Sequence, residues 1–302
     1  MYRRVSRRKY RPRTYRKKTR AGTRRSVSTY RRSRRTFRRK PMSKRKILDT
    51  TSRKKRDTML VYTNVSASNP AGGTTFSTAS PILTGGNPYV FLWIPTARDL
   101  SNSSGGANIL INDSERTASS CYMRGLKEKI RITTTDGMPW IWRRVCFTFR
   151  GNAITSLASS TNPAYSETAP GGFRRLVTNW SGFGPVQELM FKGRFNLDWY
   201  EPLTAPLDNT RIKVMYDKTI TIAAGNEEGC VRVYNRWHSM NHTLVYDDEE
   251  AGDGKIGSFY SVNNRQGMGD YYVVDFISAR LGATTTSQMA FAPEATLYWH
   301  EK

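Results

Sequence analysis

Few residues in this chain could do chemistry, and they sit in patterns that argue against it. His238 and His242 stand four apart, the spacing that places two zinc ligands on one face of a helix. The residues around them alternate as a strand does, and Ser239 stands where a zinc protease carries glutamate, so no metal site is expected. His300 reads as structural or surface. Asp247-Asp248-Glu249-Glu250, with Asp253 after it, could hold a divalent cation through carboxylate oxygens. A solvated loop, or an electrostatic partner for a basic patch on a neighbouring copy, is the better reading of that cluster. No Ser–His–Asp set can be assembled, and no G-x-x-x-x-G-K-S/T phosphate loop occurs. The chain is therefore read as a non-enzyme with no cofactor. Cys121, Cys146 and Cys230, odd in number and scattered through apolar runs, read as buried free thiols rather than a disulfide framework.

The chemistry that remains is electrostatic. Residues 1–56 hold 19 Arg and 8 Lys against one acid, Asp49, a net charge of +26. The whole chain carries +25, so residues 57–302 carry −1. A block of unpaired cations cannot be buried and must stay solvated or meet a polyanion. Self-repulsion and missing apolar periodicity predict a disordered arm over 1–56. Its candidate nucleic-acid contacts are Arg3, Arg4, Arg7, Arg8, Arg11, Arg13, Arg16, Arg24, Arg25, Arg31, Arg32, Arg34, Arg35, Arg38 and Arg39. Tyr10, Tyr15 and Tyr30 interleave with them, and either space the charges or stack on unpaired bases, whose faces a duplex does not offer. Lys44-Arg45-Lys46 and Arg53-Lys54-Lys55-Arg56 are short basic clusters of the nuclear-import type, a pattern that also arises by chance in so basic a segment. No apolar run approaches the roughly 18 residues of a membrane span, and no apolar segment follows the basic start, so neither a membrane partner nor a secretory signal is expected.

The elements that must present this charge read as strands. Candidates are 58–65, 88–95, 129–133, 141–149, 211–222, 231–237, 270–277 and 295–299, with Asp136-Gly137 as a turn between two of them. No segment longer than about ten residues keeps a helical period. Residues 99–120 and 151–185 read as long loops that contact neighbours or carry function. About eight to ten strands in residues 57–302 predict an all-β sandwich or barrel of the jelly-roll kind. On those strands Arg143, Arg144, Lys213, Arg232 and Arg236, with Arg150 and Lys218, are candidates for phosphate contact. The competing reading is the ordinary basic surface of any sandwich.

Four segments go beyond composition: Asp136-Gly137-Met138-Pro139-Trp140-Ile141-Trp142-Arg143-Arg144-Val145-Cys146-Phe147, the run from Asn235 to Glu250, Gly267-Met268-Gly269-Asp270-Tyr271-Tyr272-Val273-Val274-Asp275, and the final Pro293–Lys302. Together they resemble the capsid proteins of genomoviruses, small circular single-stranded DNA viruses related to the geminiviruses. The resemblance covers the chain from about residue 120 onward. It implies a single eight-stranded jelly roll over residues 57–302, a 60-copy icosahedral shell, circular single-stranded DNA enclosed with the arm directed inward, and residence in the virion and the host nucleus. Host import receptors become expected partners of the two basic clusters. Sixty arms at +26 would supply about 1,560 positive charges, which predicts a packaged strand of roughly 1,500–3,000 nucleotides. The rival reading is a cellular basic-tailed protein of chromatin or the ribosome.

Overall fold

In the computed structural model, which describes residues 42–302, eight long strands carry the fold. They are β1 (Arg53–Met59), β2 (Tyr89–Trp93), β3 (Ser120–Thr134), β4 (Trp140–Phe149), β5 (Lys213–Ile222), β6 (Val231–Val245), β7 (Asp270–Ala279) and β8 (Gln288–Glu301). The first sheet has the order β1-β8-β3-β6, and the short strand Ile82–Thr84 also pairs with β8. The second sheet has the order β5-β4-β7-β2, and neighbours in both sheets are antiparallel. Strands 1, 8, 3, 6 facing strands 5, 4, 7, 2 is the jelly-roll winding. The expected all-β jelly roll is thus the architecture of residues 44–302, the second of the two units into which the chain divides.

Side-chain alternation explains the first sheet. Along β3, Glu128, Ile130 and Ile132 are buried while Lys127, Lys129 and Arg131 between them are exposed. On β8, Phe291, Ala295, Leu297 and Trp299 point inward. Between the sheets lie Met59, Trp93, Leu126, Cys146, Leu297 and Trp299 in one cluster, and Ile130, Trp142 and Phe291 in a second. The second sheet is different: β4 and β7 are buried on both faces. Their outer face, with Val145, Phe147, Tyr272 and Val274, packs under Phe183, Phe191, Trp199 and the helix Gly184–Met190. Alternation is lost there because a third layer, made from connecting segments, covers what would otherwise face water.

Several expected boundaries change. The strand expected over 58–65 begins five residues earlier, breaks at Leu60, and resumes as Val61–Thr63, which pairs in parallel with Arg175–Val177. The arm boundary expected at 56/57 therefore falls inside β1, and a short helix, Lys44–Thr51, precedes it. Charge alone placed that boundary, and backbone pairing with β8 overrides it. The stretch expected as a loop over 151–185 also carries the small hairpin Glu167–Thr168/Gly172–Phe173. Cys121 and Cys146 are buried, Cys230 is partly so, and all three are free thiols.

Among the described residues, one buried acid lacks a cation. Asp270, at the start of β7, accepts from the Ser261 backbone N–H at 3.1 and 3.2 Å and from its hydroxyl at 2.9 Å. Burial pushes its carboxyl from 3.8 to about 7, against the pull of those hydrogen bonds. The folded state holds this proton more tightly than the unfolded one. Stability from the protonated form is complete below pH 3.8 and is lost as pH rises through 7. Asp270→Asn should thus stabilise the fold by about 2–4 kcal/mol at pH 8 and change little at pH 4. Urea midpoints at the two pH values test this, and equal shifts at both would contradict it.

Candidate nucleic-acid interface

The arginines and tyrosines singled out from Arg3 to Arg39 lie outside the described residues. Lys44, Arg45 and Lys46 fall on the helix Lys44–Thr51. Arg53, Lys54, Lys55 and Arg56 do not form a free basic tail. They open β1, opposite Glu301, His300, Trp299 and Tyr298 of β8. Lys55 turns inward: its ammonium donates to the carbonyls of Asn112 (2.9 Å) and Glu115 (2.8 Å) and lies 3.8 Å from a Glu301 carboxylate oxygen. As a contiguous import signal this second cluster is therefore corrected, because alternate residues of a strand face opposite sides.

Arg143 and Arg144 are corrected as well. Both are buried, on opposite faces of β4. Arg143 forks onto Asp217 at 2.8–2.9 Å and donates to the carbonyls of Pro202 and Ala205 in the covering layer. Arg144 lies between the sheets, bidentate to Asp275 at 2.7 and 2.8 Å and bonded to Glu128. Arg175 completes the square, with Nε 3.0 Å from Glu128 and Nη2 3.3 Å from Asp275, while the Trp142 indole N–H donates to Asp275 at 2.7 Å. Burial works against the Glu128 anion, but Arg144 and Arg175 outweigh it and hold its carboxyl well below the usual range. No phosphate reaches these guanidinium groups.

Two cation–carboxylate pairs elsewhere are also internal. Arg98 pairs with Asp57 and lies over the Phe173 ring at 4.3 Å. Arg116 grips Asp248 with two bonds of 2.7 and 3.0 Å and lies 3.8 Å over Tyr246. Asp248 is thereby removed from the acidic cluster as a cation ligand, and Glu249 and Glu250 stand exposed on the hairpin Glu249–Ala251/Gly254–Ile256. The two histidines four apart separate too. His238 is buried, its Nε2 3.5 Å from Glu128 and its Nδ1 3.9 Å from the Cys146 sulfur. Burial opposes its charge, yet Cys146 and Glu128 raise it to about 9. His242, beyond a register shift in β6, is exposed. Among the described residues no group of three or more potential metal ligands occurs.

Of the remaining candidates, Lys213 is exposed at the start of β5. Arg232 is exposed on β6 and donates to the Ala223 carbonyl at 2.7 Å. Arg236 is half-buried, 5.2 Å over the Tyr234 ring. Lys213 belongs to one sheet and the two arginines to the other, so the three do not make one surface.

The basic surface that exists is one the sequence reading did not assemble. Among the described residues, the outer face of the first sheet lacks the covering layer of the second and exposes Lys54 and Arg56 on β1 and Lys127, Lys129 and Arg131 on β3. Arg124, half-exposed, bonds Asn241 at 2.6 Å. Opposing them on β8 is one acid, Glu294. Lys54 pairs with Asp49 at 3.6 Å, whereas Arg56, Lys127, Lys129 and Arg131 have no carboxylate within 4 Å among the described residues. The alternation Lys127-x-Lys129-x-Arg131 was visible as a signal. Its significance depended on knowing which sheet face stays bare.

No family model matches the chain, and no curated protein matches it. Among solved structures it is similar to the unassembled VP1 pentamer of KI polyomavirus, at 8% identity over 87% of this chain and 97% of that one, with a TM-score of 0.13. An unassembled mutant VP1 pentamer of Washington University polyomavirus gives 9% identity over 86% and 95%, with a TM-score of 0.11. Likeness at that level carries no argument, and the jelly roll stands on its own strand order.

Proposed function

We propose that this protein is a viral capsid protein that self-assembles into a small icosahedral shell of 60 copies and packages circular single-stranded DNA. The observation that carries the reading is a segregation of charge from fold. Residues 1–43 hold 16 Arg and 4 Lys with no acid, and a complete jelly roll follows. The resemblance of the late motifs to genomovirus capsid proteins supports the same reading. So do large apolar side chains on connecting segments: Ile111 is 83% exposed, Leu197 79% and Tyr200 78%. Side chains of that kind call for cover by neighbouring copies. The role is structural, with no catalytic step.

Assembly would couple two weak steps. The basic segment binds DNA with little sequence preference, gaining counterion release, and contacts between jelly rolls then close the shell. Sixty copies of residues 1–43 supply about 1,200 positive charges, and the charges through Arg56, the buried Lys55 excepted, raise this to about 1,500. A strand of roughly 1,500–3,000 nucleotides follows, with ions screening the excess. Nuclear entry would rest on Lys44-Arg45-Lys46 and the segment before it, since Lys55 is locked in β1.

Electron microscopy of the purified chain with circular single-stranded DNA tests the reading, the expected result being closed shells that protect the DNA from nuclease. A soluble 34.5 kDa monomer in physiological salt, with and without DNA, would instead favour a cellular basic-tailed nucleic-acid-binding protein. Extraction of more than about 5,000 nucleotides per shell would sink the charge account.

A further inference from the structure

Trp237 is 53% exposed on the outer face of β6, although its large apolar ring would ordinarily be drawn into a core. It is held in that position rather than left loose. Its ring contacts that of Tyr298 on β8, centroids 5.8 Å apart and tilted by 55°. The indole crosses Gly125 of β3, where an added Cβ would meet its six-membered ring at 2.8 Å and the His238 carbonyl oxygen at 2.5 Å. The missing side chain at Gly125 is therefore what lets the indole lie across the sheet between β6 and β8.

Cations border this aromatic pair. Lys127 is the register partner of Trp237, and Arg56 is the partner of Tyr298. Lys127, Lys129 and Arg131 follow at every second residue of one strand, about 6.7 Å apart. That is close to the phosphate spacing of an extended, unstacked strand. One acid, Glu294, is the register partner of Lys129, but among the described residues no carboxylate lies within 4 Å of these cations. Fixed aromatic faces beside such a line of cations match the two halves of a single-stranded nucleotide chain: π-faces of bases and a repeating negative charge. A duplex satisfies only the second half.

We propose that the outer face of the first sheet is a stacking platform for single-stranded DNA, with Trp237 and Tyr298 taking bases and Arg56, Lys127, Lys129 and Arg131 taking phosphates. The proposal rests on the packaging role above and adds a structured contact to the basic segment's diffuse one. A second copy of this chain is the competing occupant, because Val231 and Val233 beside Trp237 are also exposed.

Photo-crosslinking of the full chain to a 20-nucleotide single strand carrying 5-iodouracil, followed by peptide mapping, tests it. Adducts on the peptides holding Trp237 or Tyr298, in addition to those from residues 1–43, are expected. Trp237→Ala should weaken binding on the order of tenfold with little change for a duplex of equal length. The triple change Lys127→Gln, Lys129→Gln, Arg131→Gln should lower the salt slope of log K by about 2. Adducts confined to residues 1–43, with Trp237 and Tyr298 unmodified, overturn the platform while leaving packaging intact. Failure of the chain to bind single strands at all overturns both. Loss of shell assembly in Trp237→Ala, with platform adducts absent in the unassembled native chain, assigns the face to a neighbouring copy and overturns the proposal.

Discussion

Arg144→Leu is expected to lower the stability of the fold by about 3–5 kcal/mol, a large share of the 5–15 kcal/mol available to a typical domain. Among the described residues, Arg144 and Arg175 both bond the two carboxylates of the central square, and Arg144 makes the shorter contacts, forking onto Asp275 and meeting Glu128. Its removal leaves Asp275 with Arg175 as its one cation among those residues, at 3.3 Å, and Glu128 with Arg175 and the more distant His238, 3.5 Å away. Leucine fills much of the volume but neutralises nothing, so the cost is that of uncompensated buried charge rather than of a cavity. One or both acids would then take up a proton, and the variant should lose more stability at pH 8 than at pH 5. The quadruple change Arg144→Met, Arg175→Met, Glu128→Gln, Asp275→Asn removes all four charges of the square and should recover part of the loss. Urea denaturation of the three proteins decides the matter: a midpoint for Arg144→Leu equal to the native one would refute a structural role for the square. Lys213→Ala, an exposed position, should stay within about 0.5 kcal/mol.

This square also shows where sequence reading stops. Alternation puts Arg143 and Arg144 on opposite faces of a strand, which is correct, but their charge alone reads as candidate phosphate contact, since charged residues seldom face a core. Nothing local reveals that Glu128, Arg175 and Asp275 converge from three other places in the chain, or that residues 183–205 cover the far face of β4. Arg175 lies in a stretch whose Gly and Pro content reads as loop. The strands themselves were legible wherever one face stays wet, as over 129–133, or where apolar runs are continuous, as over 141–149 and 270–277. β1 was hidden because Arg53-Lys54-Lys55-Arg56 has no apolar member to give it a period. Its strand character comes from the β8 backbone and from Glu301, 246 residues away. The bare, basic sheet face was unreadable for the complementary reason: its residues were all in view, but the absence of a layer over them is a property of the fold.

The hidden strand leads to the second large effect, a contrast between two truncations. Removal of residues 1–43 takes away +20 of charge and none of the eight strands. The remaining chain should fold, with a thermal transition close to that of the full protein, and should fail to package DNA. Removal of residues 1–56 also deletes four of the seven register pairs between β1 and β8, from Arg53↔Glu301 to Arg56↔Tyr298. It strips Lys55 from Glu301 and from the two carbonyls it bonds. Glu301 keeps the Thr117 and Trp299 donors but loses its cation, and the end of β8 becomes an open edge. Loss of a buried partner of this kind costs about 3–5 kcal/mol before the broken ladder is counted. The longer truncation should therefore be insoluble or aggregate, even though it removes only 13 residues more. Circular dichroism and nuclease protection on the two products separate the outcomes. Genome-filled particles from the shorter truncation would remove the basic segment from the packaging mechanism. A soluble, cooperatively melting product of the longer one would show that β1 is dispensable, and that the fold begins where the charge ends after all.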